Sequence, residues 1–80
     1  MPAKLIHAKK VVGAKQTLKA LQKGQAQVVY LAKDADKRVS GPIVEQCSKA
    51  GVEIVFVDSM AELGRACLID VGAAVASVIE

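Results

Sequence analysis

An α/β fold, a three-layer α/β/α sandwich around a four-stranded mixed sheet, is what this 80-residue sequence predicts. Three observations carry it. Segments with helical spacing of apolar residues alternate with short apolar, β-branched segments, an order whose crossover connections put helices on both faces of a sheet. Glycines stand where helical patterns stop, at Gly24 and Gly51. The composition is 52% apolar, enough for one modest core in a chain too short for a second domain.

The elements follow in order. Residues 3–10 place Leu5, Ile6 and Lys9 in helical register, and Val11 and Val12 then predict a brief strand closed by Gly13. A helix over residues 14–23 puts Ala14, Leu18 and Leu21 near one face and Lys15, Lys19 and Lys23 on another. Residues 27–32, with Tyr30 among Val28, Val29 and Leu31, read as a strand covered on both faces, hence parallel and central. Residues 33–41 form a connecting turn. Pro42 suits the first turn of the next helix, which carries Ile43, Cys47 and Ala50 on one face, although a start near Asp36 is also compatible. Residues 53–57 read as another buried strand. Ser59-Met60-Ala61-Glu62 is a capping box opening a helix, with Met60, Leu63 and Cys67 inward, that ends near Leu68. Residues 71–79, rich in Ala and Val, form the last strand.

No apolar run reaches the length of a bilayer span, and residues 1–10 lack a hydrophobic signal core, so the expected location is the cytoplasm, away from membranes. Cys47 and Cys67 sit in apolar helical patterns and read as buried thiols in a reducing compartment. The net charge of +3 permits contact with phosphate without identifying it. The distribution says more: Lys4, Lys9, Lys10, Lys15, Lys19 and Lys23 precede the first acidic residue, Asp34. With Tyr30 and Phe56 the sole aromatics, recognition by stacking many bases on a sheet face is poorly supported.

Enzyme chemistry finds little footing. Gly13, Lys15 and Thr17 lie close together after a strand, but the spacing of a phosphate-binding Walker loop is absent. Asp34 and Asp36 lack the further oxygen ligands and glycine of a calcium loop and read as turn and cap residues. His7 has no second imidazole or carboxylate beside it. No catalytic triad or cysteine-rich metal motif exists, so neither cofactor nor metal is expected.

The segment Gly13-Ala14-Lys15-Gln16-Thr17-Leu18-Lys19 is the most informative. A strand hands over to a helix whose first turn presents unpaired N–H groups and partial positive charge, suited to phosphate or an electronegative base edge. Gln16 donates and accepts in one plane, which matches purine edges, and Lys15 and Lys19 reach neighbouring acceptors. Taken alone, these lysines read equally well as a solvated face. In Leu63-Gly64-Arg65-Ala66-Cys67-Leu68-Ile69-Asp70-Val71-Gly72-Ala73-Ala74 a helix ends in an apolar loop, whose Leu68, Ile69 and Val71 either pack beneath it or form an apolar surface for a flipped-out base.

Together these segments resemble the kink-turn-binding family that includes the archaeal large-subunit ribosomal protein and the bacterial YbxF-like proteins. The resemblance runs from Gly13 through Lys19 to Gly24, through Ala32-Lys33-Asp34-Ala35-Asp36, and on through Glu62-Leu63-Gly64-Arg65-Ala66 and Ile69-Asp70-Val71-Gly72-Ala73-Ala74. It implies one non-catalytic RNA-binding domain, monomeric when free. That domain docks the start of its basic helix against tandem G·A pairs of a sharply bent RNA, ribosomal or riboswitch-like. The implied contacts are Gly13, Ala14, Lys15, Gln16, Lys19, Lys23, Arg65, Leu68, Ile69, Asp70, Val71, Gly72 and Ala73. Lys15 and Gln16 replace the Asn and Glu of the archaeal pattern, as in the bacterial branch, and Leu68 stands where relatives often have Gly. The alternatives are the same fold reading a different RNA internal loop, or a protein-interaction scaffold.

Overall fold

The computed structural model describes residues 9–79. In chain order these form β1 (Lys10–Val12), α1 (Ala14–Gln22), β2 (Ala26–Ala32), α2 (Lys37–Ala50), β3 (Glu53–Val57), α3 (Met60–Ala66) and β4 (Val75–Ile79). The four strands make one mixed sheet in the order β1-β4-β2-β3. β4 runs antiparallel to both β1 and β2, and β2 runs parallel to β3. The helix expected over residues 3–10 lies outside the described residues except for its last two, and of these Lys10 already belongs to β1.

Side chains alternate across the strands, so each face of the sheet carries its own core. On one face Leu21 of α1 and Ile43 and Cys47 of α2 pack on Val29, Leu31 and Val75. On the other, Leu63, Ala66 and Cys67 pack on Val28, Tyr30, Ala32, Val57, Ala76 and Val78. The result is the expected three-layer sandwich, with α1 and α2 on one side and α3 on the other. Burial pushes the thiols of Cys47 and Cys67 up, with Lys10 pulling Cys67 partly back, and both cysteines are free.

Three elements differ from the sequence reading. β2 is central as expected, but only β3 is parallel to it, because β4 enters the sheet on its other side. β3 is an edge strand and not a buried one, which leaves Glu53 and Phe56 exposed. β4 begins at Val75, four residues later than expected, since Val71–Ala74 is loop. α2 takes the earlier of its two candidate starts: the Asp36 carboxylate accepts the Arg38 N–H at 2.8 Å, and Pro42 falls inside the helix. Met60, expected inward, is exposed at the first turn of α3.

Thr17 is fully buried in α1, and its hydroxyl has no hydrogen-bond partner among the described residues. A buried polar group left unpaired is destabilising. Thr17→Val is therefore expected to raise stability by about 1 kcal/mol. Urea unfolding measures this directly, and a loss of comparable size would mean that the hydroxyl is bonded in solution.

Candidate nucleic-acid interface

The C-terminal ends of β1, β2 and β3 and the start of β4 share one edge of the sandwich, because Val12 pairs with Ala76, Leu31 with Val75, and Ala32 with Val57. Each helix begins where one of those strands ends, so three helix N-termini converge on this edge. Each leaves backbone N–H groups without intrahelical partners. At α2 the side chain of Asp36 caps them. At α3 the Ser59 hydroxyl accepts the Glu62 N–H at 3.1 Å, half of the expected capping box, and Asp34 reaches across from the β2–α2 turn to accept the Met60 N–H at 2.8 Å. The two aspartates thus serve as cap residues, one for its own helix and one for a helix far along the chain.

The N-terminus of α1 is different. Its N-cap is Gly13, with φ 105° and ψ 153°, and no side chain bonds to the first turn. That backbone conformation is essentially restricted to glycine. The first turn holds no acidic residue. Lys15 and Gln16 are exposed on it, and Lys19 follows one turn later. The open end is held in place by a bond from the Gly13 N–H to the Val75 carbonyl at 2.8 Å. The adjoining residue, Ala74, accepts the Ala32 N–H at 2.9 Å. The sheet therefore brings Gly13, Ala14, Lys15 and Gln16 beside the last residues of the 67–74 loop.

The rest of that loop folds back along α3. The Ala73 N–H donates to the Met60 carbonyl at 3.0 Å, and the Val71 carbonyl lies directly over Gly64, where a Cβ atom would collide with it. The apolar residues of the loop divide: one packs beneath it and two do not. Ile69 is half-buried against the core, whereas Leu68 is 72% exposed and Val71 is 71% exposed. Asp70 and Gly72 are exposed and Ala73 is buried. Arg65 and Leu68 lie at the far end of α3, about 10 Å from the edge for seven residues at 1.5 Å each. Lys23 sits equally remote, at the C-terminal end of α1.

The cations sort by partner. Lys33 pairs with Asp58, Arg38 with Asp36 and Lys49 with Glu45. Lys15, Lys19, Lys23 and Arg65 make no ion pair among the described residues. Lys9 and Lys37 make none there either, and the first four are the ones that the sequence marked as basic contacts. Sequence reasoning left Lys33 in a connecting turn, yet it follows Ala32 at the edge beside the loop, and its N–H is anchored to the Val57 carbonyl at 2.8 Å. Its position after the last residue of the central strand was the available signal. Its 3.4 Å contact to Asp58 is between exposed groups, and such pairs exchange readily for other partners. Among the described residues no group of His, Cys, Asp and Glu side chains is placed to hold a metal ion. Among them, too, no helix is long and apolar enough to cross a membrane.

A family model described as the ribosomal protein L7Ae/L30e/S12e/Gadd45 family matches residues 1–80. The chain belongs to this family. A relative in Caldanaerobacter subterraneus subsp. tengcongensis, named an RNA-binding protein, is 55% identical over 69 residues, covering 86% of this chain and 84% of its own. RNA-binding protein YbxF of Geobacillus stearothermophilus is 42% identical over 77 residues, covering 95% and 94%. Among solved structures, the Giardia lamblia 15.5kD RNA binding protein superposes with a TM-score of 0.85 at 36% identity, over 90% of this chain and 61% of that one.

Proposed function

We propose that this L7Ae-family chain is a non-catalytic RNA-binding protein that recognises and stabilises kink-turn RNA, with tandem G·A pairs and a bulged nucleotide. In this reading it acts as a ribosomal or ribosome-associated protein of the cytoplasm, monomeric when free. The observation that carries the reading is the uncapped N-terminus of α1, flanked by Lys15, Gln16 and Lys19, on an edge where both other helices are capped by the chain's own side chains. Phosphates crowd together at a sharp RNA bend. Free N–H groups, the helix dipole and unpaired lysines lower the cost of that crowding. Gln16, with its paired donor and acceptor, faces the G·A edges, and the backbone at Gly13 allows close approach. Loop residues Ile69, Asp70, Val71, Gly72 and Ala73 flank the bend from the α3 side. Binding shifts the RNA toward its kinked population without any covalent step.

The test is a titration of a labelled kink-turn RNA against a control in which both G·A pairs are Watson–Crick pairs, at two salt concentrations. Wild type is expected to bind the kink-turn selectively, and Gln16→Ala combined with Lys19→Ala is expected to weaken it about 100-fold. Equal, salt-labile binding to both RNAs would reduce the site to a basic surface. Absence of binding would favour a protein-interaction scaffold.

A further inference from the structure

The edge proposed for RNA leaves one long side of the sheet unengaged. β3 has a single neighbour, the parallel strand β2. In a parallel ladder alternate residues turn both backbone polar groups toward the same neighbour. The Val57 carbonyl accepts the Lys33 N–H at 2.8 Å, which fixes the phase. Glu53, Val55 and Val57 bond toward β2, and Ile54 and Phe56 turn their N–H and carbonyl groups outward. Natural sheets guard such an edge with lysine, proline, a bulge or brevity. The strand at the other end of the sheet, β1, is three residues long. β3 is five residues long, keeps a continuous register with β2 and carries neither lysine nor proline.

Side chains along this edge divide between the two faces of the sheet. On the α2 face Ile54 packs against the core, while Phe56 is 55% exposed. Val44 of α2 is exposed as well, one residue on from the buried Ile43. A rotation of about 100° per residue, in the right-handed sense that such a β2–α2–β3 crossover takes, turns Val44 toward the open side of β3. On the α3 face Val55 packs inward, and Glu53 is exposed and makes no ion pair among the described residues. All eight acidic residues of the chain lie after residue 25, with only five of its eleven cations. Of those five, Lys33 and Lys49 are each bonded to an acid, Asp58 and Glu45. The β3 side is therefore acidic where the α1 side is basic.

We propose that the open edge of β3 takes up a strand from another protein, an extended segment in which basic and apolar residues alternate. Its backbone pairs with the outward N–H and carbonyl groups of Ile54 and Phe56. Its apolar side chains cover Phe56 and Val44 on the α2 face, and its basic side chains meet Glu53 on the other. A nucleic acid does not suit an edge whose own charge is negative. β4 and β2 stand between β1 and β3, so a strand added here leaves the N-terminus of α1 open. One molecule can then hold a basic protein segment on one side and RNA on the other.

The probe is a fluorescein-labelled peptide of alternating lysine and valine, compared with the same peptide methylated at every backbone nitrogen. Wild type is expected to bind the first and not the second. Phe56→Lys and Glu53→Lys, both at exposed positions and checked for folding by thermal melts, are each expected to bind the first peptide about tenfold more weakly. Amide hydrogen exchange gives a second readout on the wild type alone: the Ile54 and Phe56 amides are expected to slow about tenfold in the complex. Absence of binding would overturn the proposal, as would equal binding of the methylated peptide or unchanged exchange at these two amides. Sedimentation of wild type as a dimer that Phe56→Lys dissociates would also overturn it, since a second copy of the chain would then hold the edge.

Discussion

Gly64→Ala is expected to destabilise the protein by about 3 kcal/mol, at the upper end of the cost of overpacking a close-packed site. Gly64 is buried in α3, and a Cβ built there meets the Val71 carbonyl oxygen, with the Val71 carbonyl carbon and the Gly72 Cα each at 3.1 Å. All three are backbone atoms, so no rotamer change clears the space. Either the loop lifts from the helix or α3 shifts on the sheet. Lifting the loop strains the Ala73 bond to Met60 and, through Ala74 and Val75, the attachments to Ala32 and Gly13. A fall in melting temperature of roughly 15 °C is expected, with loss of kink-turn binding even where the variant remains folded. An unchanged melting temperature would show that the loop is not seated on Gly64 in solution.

Replacing Lys15, Lys19 and Lys23 together by Gln is expected to weaken RNA binding at low salt about 100-fold and to lower the slope of log affinity against log salt by roughly 2, at about 0.7 per neutralised phosphate contact. None of the three has an ion-pair partner among the described residues, so the substitutions break no such pair of the fold. Thermal unfolding should therefore change little. Lys49→Gln serves as the comparison, because Lys49 is bonded to Glu45 on α2 at 3.3 Å, and its salt slope should match wild type. A triple variant with an unaltered slope would mean that the phosphates lie elsewhere on the surface.

Features encoded by a few adjacent residues were legible in the sequence. Ser59 and Glu62 marked the start of α3, Gly51 the end of α2, and the apolar run around Tyr30 the central strand. The open N-terminus of α1 was legible too, since a glycine followed by a basic turn leaves no side chain to cap it. Properties set by tertiary placement were not. Nothing in residues 71–74 distinguishes a loop seated on Gly64 from a strand, because Val71 and the alanines suit either, so β4 was read four residues too long. Asp34 caps a helix whose first residue lies 26 positions away, and no local pattern records that. The exposure of Phe56 follows from the place of β3 at the sheet edge, which depends on β4 entering between β1 and β2.

That entry of β4 between two strands formed much earlier in the chain also governs when the molecule becomes itself. Until residues 75–79 emerge during synthesis, β1 has no partner at all and β2 has only β3, so two of the three strand junctions are missing. Gly13 likewise lacks the carbonyl of Val75 that holds it. A nascent chain can form its helices and the β2–β3 pair early, but its most distant contacts close last, which favours slow, all-or-none folding over stepwise assembly. The edge proposed to face RNA therefore comes into existence only as the final strand slots home, and a partly made copy carries its lysines without the surface proposed to tell one fold of RNA from another.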